Sequence, residues 1–308
     1  MTQSIPGEGL LDATPDAYRR DRAYLGADHV RNERRTWIVT AICVVTLAVQ
    51  VAGGLVFRSM ALTASGLHMA AHVAALLVAA AAYALARRYA ASPRFAFGTG
   101  KFGYLAGFAN AVVLGMTAIL IGIESIQRLL TPQTVDYAAA LPLAVAGLGV
   151  TLICVWLLKP TDEGRHDLNI SAAHLHLSAD ALFGMLAILG LLAGETLGWT
   201  WADPVAGLAG ALLVAQFAAS LILRASATLL DANPSIELTR AVRAGLEQDD
   251  DEVLDLHLWR LGPGHHAAVA VVFAKNPQPA QAYHARLKGL EGLSHVTVEI
   301  RSPEGVRF

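Results

Sequence analysis

The sequence predicts an α-helical membrane protein, with six transmembrane helices followed by a small cytoplasmic αββαβ domain. Three observations predict it. Only 16% of the 308 residues are charged and 55% are apolar, whereas soluble chains carry about 25% charged residues. The shortage is uneven: residues 1–36 hold 12 Asp, Glu, Lys or Arg, residues 37–234 hold 18, and residues 235–308 hold 18. The last region alternates with strand and helix periods. The chain therefore divides into an N-terminal tail (1–36), a six-helix membrane domain (37–234) and a C-terminal α/β domain (235–308). A net charge of −2 without a basic stripe excludes a nucleic-acid binder. The apolar content excludes a disordered chain.

Six stretches reach the roughly 20 apolar residues that a spanning helix needs. They are Trp37–Phe57, Met60–Ala86, Phe102–Ile123, Tyr137–Leu158, Ala172–Gly194 and Pro204–Leu223. Ser92-Pro93, Thr131-Pro132, Pro160 and Asp203-Pro204 separate them. The last pair reads as an N-cap aspartate with proline at the first helical position. Gly and Ala are frequent in the stretches, which suits close helix packing in lipid. No run in residues 1–36 matches a signal peptide's apolar core. With the N-terminus inside, the inner loops hold Arg31, Arg34, Arg35, Arg87, Arg88, Arg94, Lys101, Lys159, Arg165 and Arg224, and the outer ones only Arg58 and Arg128. That asymmetry places both termini in the cytoplasm. Cys43 and Cys154 lie inside apolar runs and read as small core residues.

In the C-terminal region, Ser235–Glu247 has helical spacing. Val253–Leu261 alternates, Ala267–Ala274 is a continuous β-type run, Ala280–Leu290 is helical and Val296–Ile300 alternates. Helices on one face of a three-stranded sheet satisfy this pattern. The acidic run Asp249–Glu252 reads as a solvated loop.

Ionisable groups inside a bilayer are costly and mark functional sites. Asp180 alone among the charged residues of 37–234 falls well inside a stretch; Glu124 falls near an interface. His68 and His72 in the second stretch are spaced i, i+4, and so are His176 and Asp180 in the fifth. Each pair therefore shares one helix face. The first pair lies 8 to 12 residues from an outer start and the second 4 to 10 from an inner start. Both approach the middle third of the membrane at about 1.5 Å per residue. Three imidazoles and a carboxylate form a four-coordinate site for a divalent transition metal, favouring Zn²⁺, Co²⁺ or Ni²⁺ over Mg²⁺, Ca²⁺ or Mn²⁺. Protons compete for the same groups, so a site open alternately to each side is an antiporter's. His174 is two residues from His176 and points elsewhere, in a structural or interfacial role. Asn110 and Gln50 are polar at plausible depth and are expected either to line the cavity or to bond a neighbouring helix.

These residues resemble the cation diffusion facilitator family over about residues 29–301. The resemblance is carried by Gly66-Leu-His-Met-Ala-Ala-His72, Phe97-Gly-Thr-Gly-Lys101, His176-Leu-Ser-Ala-Asp180, Asp203-Pro204 and Asp255-Leu-His-Leu-Trp259. Asn32-Glu-Arg-Arg35 and the second histidine of the second stretch look most like the bacterial cobalt/nickel-efflux branch. The resemblance implies an inner-membrane homodimer that exports divalent metal (Co, Ni or Zn) in exchange for protons. It implies His68, His72, His176 and Asp180 as transport ligands, no prosthetic group, and a tail that dimerises. Ser65 stands where relatives often have Asp, and the loop Pro160–Asp167 carries only His166. Leu254, Val271 or Val272, and Glu299 replace tail histidines of some zinc members, which leaves His257, His265, His266 and His295 as the candidates for a different tail site. The competing reading is an intramembrane metallohydrolase, which needs a general base such as the Glu of HExxH. His68-Met-Ala-Ala-His72 has none. A haem protein is disfavoured because ligands four residues apart on one helix point the same way.

Overall fold

The computed structural model describes residues 24–25, 28–56, 60–131, 136–160, 167–303 and 305–307, without the side chains of 53–55, 60–68, 71 and 305–307. Six long helices come first: α1 (His29–Val56), α2 (Met60–Arg88), α3 (Phe102–Leu130), α4 (Tyr137–Leu157), α5 (Leu168–Leu197) and α6 (Ala202–Leu229). All but α2 are long and apolar enough among the described residues to cross a membrane. At 29 residues, α2 has a spanning length too. In packing, α1 lies on α2, α3 on α6, α4 on α5, and α5 on α6.

The helix boundaries depart from the apolar stretches for local reasons. The first helix begins at His29, not Trp37, because its polar first turns find partners. Asn32, Glu33 and Thr36 are buried there, and Glu33 receives two 3.0 Å bonds from Arg87. Asp136 and Asp167 cap α4 and α5, each accepting a backbone N–H of the first turn. Asp203 is not an N-cap: α6 starts one residue earlier, Trp201 is its N-cap, and Asp203 and Pro204 lie in the first turn. Proline costs no hydrogen bond there. Gly198, at φ 70°, ends α5 in the left-handed conformation that glycine tolerates best. Cys43 and Cys154 are free, buried and part of one apolar cluster with Val39, Val73, Leu76 and Ile170.

The tail comprises α7 (Ile236–Leu246), β1 (Glu252–Gly262), β2 (His265–Phe273), α8 (Ala280–Leu287), β3 (Leu293–Ser302) and β4 (Gly305–Arg307). The order αββαβ holds, with one addition: β4 makes the sheet four-stranded, β1-β2-β3-β4. The β1–β2 and β3–β4 pairs are antiparallel and β2–β3 is parallel, with α8 as the crossover. Its core contains Val242, Leu246, Val253, Val272, Tyr283, Leu287 and Ile300. The acidic run is not simply solvated. Arg286 binds Asp251 at 3.0 Å and Asp249 at 2.9 Å, and Asp251 is buried.

The tail sits against the end of the bundle where α1, α3 and α5 start. Phe97, before α3, meets Trp259 at 5.4 Å between ring centroids, and Lys101 pairs with Asp231. A Cβ on Gly100 would lie 2.5 Å from the Leu261 carbonyl oxygen and 2.7 Å from that of Tyr24. Only glycine lets these backbones meet. At this same end Arg87 bonds Glu33 of α1, Lys101 pairs with Asp231 just beyond α6, and the Lys159 carbonyl accepts from Arg35 of α1.

Candidate metal centre

In a helix, residues four apart stack on one face. The fifth helix therefore presents His176 and Asp180 together, and α2 presents His72. The helices run in opposite directions. His72 is twelve residues beyond the start of α2, and Asp180 twelve beyond the start of α5. At 1.5 Å per residue both lie about 18 Å along their helices, near the middle of each.

Packing brings these three side chains together. His72 Nδ1 lies 3.1 Å from His176 Nε2 and 3.2 Å from Asp180 Oδ2, and His176 Nε2 lies 3.4 Å from Asp180 Oδ2. The imidazoles stand edge to face at 90°. Both histidines are buried and the Asp180 side chain is only 13% exposed. This is the one group of three or more His, Cys, Asp or Glu ligand atoms this close among the described residues.

The triangle matches a specific coordination geometry. A tetrahedral ion with bonds of about 2.0–2.1 Å has edges between ligand atoms of about 3.3–3.4 Å. The observed edges span 3.1 to 3.4 Å, so the triangle has the size of one face of that tetrahedron. Two nitrogens and a carboxylate oxygen suit borderline metals such as zinc or cobalt.

His68 lies on α2 one turn before His72; its side chain, like that of Ser65, is outside the described residues, as is His166. His174 is not in the group, and its carbonyl accepts the Ser178 hydroxyl. Asn110 and Gln50 are buried, and Gln50 Oε1 makes no hydrogen bond among the described residues. Glu124 is exposed and pairs with Arg128. In the tail, His257 pairs with Asp255 at 2.9 Å, His265 meets Ser294 at 2.7 Å, His266 abuts Gly292 and His295 packs on Phe97. These four do not converge into a ligand group among the described residues.

Sequence reasoning missed a second polar cluster. Asp167 opens α5 and is bonded by Asn32 and Tyr83. Its one visible signal was a carboxylate just before an apolar run.

A model of the cation efflux transmembrane domain matches residues 36–230. The zinc transporter ZitB of Escherichia coli is 34% identical over 234 residues, covering 75% of this chain and 74% of that protein. A cadmium, cobalt and zinc/H(+)-K(+) antiporter of Bacillus subtilis is 26% identical over 289 residues, 90% of this chain and 92% of that one. The metal cation efflux system protein CzcD of Cupriavidus metallidurans is 29% identical over 287 residues, 89% and 90% of the two chains. Zinc stands in two of these three names, cobalt in one and nickel in none.

Proposed function

The chain belongs to the cation efflux family of transporters, and on that premise we propose that it exports zinc, with cobalt and nickel as further substrates, by metal/proton antiport. The observation that carries this reading is the triangle of His72, His176 and Asp180. Its donor set and edge lengths suit a tetrahedral zinc ion. His68, one turn away on the same helix, supplies the fourth ligand. Imidazole and carboxylate take up protons when the metal leaves, which links the two fluxes. Cobalt and nickel accept the same donors, and geometry sets their order.

The basic residues near the tail-side end support an inner-membrane protein with both termini cytoplasmic. The tail then hangs in the cytoplasm, and two copies associate through it. A metallohydrolase is a poorer reading: its site needs a base beside the metal, and the cluster holds ligand atoms only.

Proteoliposomes loaded with zinc, cobalt or nickel and given a pH gradient test the proposal. Zinc flux that follows the gradient, and that is lost in Asp180→Ala, is the expected result. Flux indifferent to the gradient, or unchanged in Asp180→Ala, overturns it.

A further inference from the structure

On the tail side of the triangle the path is shut twice. The first barrier is apolar. One to two turns from His72 and His176, the side chains of Leu76, Ala173 and Ile170 are all buried within the cluster that includes Val39.

The second barrier is a polar knot centred on Asp167, about 13 Å along α5 from His176. Asp167 Oδ2 accepts from Asn32 Nδ2 at 3.0 Å and from the Tyr83 hydroxyl at 2.6 Å. Its Oδ1 accepts the Asn169 N–H at 3.0 Å. Asn169 Nδ2 donates to the Ala79 carbonyl at 2.9 Å, and His29 Nε2 lies 3.1 Å from the Tyr83 carbonyl oxygen. Asp167, Asn32, Tyr83 and Asn169 are all buried. A cavity of about 20 Å³, lined by His29, Tyr83, Thr99, Asp167 and Pro263, lies against the knot. It is large enough for one water.

No Lys or Arg pairs with Asp167 among the described residues. Among the described residues, the buried carboxylate is thus held by three neutral donors, one each from α1, α2 and its own helix. Hydrogen bonds to a charged acceptor are strong, and a carboxylate stripped of them is costly in an apolar surround. Water replaces these donors equally well. Two arrangements therefore satisfy the carboxylate: the observed one, with donors supplied by α1 and α2, and one with donors supplied by solvent. Intermediate arrangements leave the charge unsatisfied. That is the behaviour of a latch.

We propose that Asp167, held by Asn32 and Tyr83, latches the tail-side gate, and that its release admits metal to the triangle. These are positioning residues: they do not touch the metal, and they set how often the path opens. The inference rests on the alternating-access reading of the central site.

The test uses the full chain in membranes, with Cys43→Ala and Cys154→Ala removing native thiols. Ala173→Cys, between the latch and the triangle, is the reporter. A charged, membrane-impermeant methanethiosulfonate is applied to each face in turn, without added metal. Tyr83→Phe and, separately, Asn32→Ala are expected to raise the tail-side labelling rate at least tenfold and to leave far-side labelling within twofold. Asp167→Asn keeps the helix cap and is expected to give an intermediate rise. Tail-side rates within twofold of the parent in both Tyr83→Phe and Asn32→Ala overturn the latch. Equal rises from both faces overturn it as well, since that is general loosening. Because no transport is measured, a failed latch is distinguishable from a failed metal site: the latter appears as zinc flux that survives Asp180→Ala.

Discussion

The interface between α3 and α6 and the seam between α2 and α5 are built from opposite materials. The former is small and apolar. Ala111, Leu114, Ala118, Val214, Ala218 and Leu221 are buried along it, and a Cβ on Gly115 would sit 3.6 Å from that of Ala218. At the end away from the tail, Arg128 reaches Asp203 at 3.7 Å. The seam shares an apolar cluster of Val73, Leu76 and Ile170 but is also crossed by polar contacts, from His72 to His176 and Asp180, Tyr83 to Asp167, and Asn169 to Ala79. Close-packed small residues have one good arrangement. Polar contacts have a second whenever water, a proton or a metal ion takes a partner's place. One interface is thus suited to hold shape and the other to change it.

The largest expected effect comes from breaking the seam at its centre. His72→Ala or Asp180→Ala should lower zinc flux in proteoliposomes at least a hundredfold, with the melting temperature in detergent held within a few degrees. A comparable loss of fold would make these residues structural.

Overfilling the other interface should do the reverse. Ala218→Leu forces extra volume against Leu114 and Ala118 and should cost about 1–3 kcal/mol of stability, read by thermal denaturation. Zinc affinity of the folded fraction, read by calorimetry, should not change.

His72→Asp keeps a ligand at the centre and changes its chemistry. Oxygen donors favour harder ions, so the ratio of manganese to zinc flux should rise about tenfold in a metal-by-metal transport assay. An unchanged ratio would place selectivity elsewhere.

The smallest effect belongs to Ser178→Ala. Among the described residues, its hydroxyl bonds only the His174 carbonyl of its own helix. Although it lies between His176 and Asp180, removal should shift stability by under about 0.5 kcal/mol and leave flux within twofold. A large loss would show that the seam extends beyond the triangle.

Much of this was legible in the sequence because it depends on local rules. The charge-poor middle defined the helices, and i, i+4 spacing paired His68 with His72 and His176 with Asp180. Alternation placed the tail strands. Local rules failed where partners came from elsewhere. Residues 29–36 looked like part of a polar tail because Glu33 and Asn32 are polar; their partners Arg87 and Asp167 lie 54 and 135 positions away. Asp251 looked solvated until Arg286, 35 positions on, was seen to hold it.

By itself, then, the sequence determined the membrane fold class, the face of α2 on which His72 lies, the face of α5 that His176 and Asp180 share, and the imidazole and carboxylate groups those faces present. The tertiary structure alone decided that these two faces meet, with 3.1–3.4 Å between their donor atoms, and that the buried carboxylate of Asp167 is bonded by Asn32 of α1 and Tyr83 of α2. Helical periodicity fixes the direction of a side chain relative to its own axis. The rotation of one helix against another is set by packing among all six, which no single helix's spacing encodes.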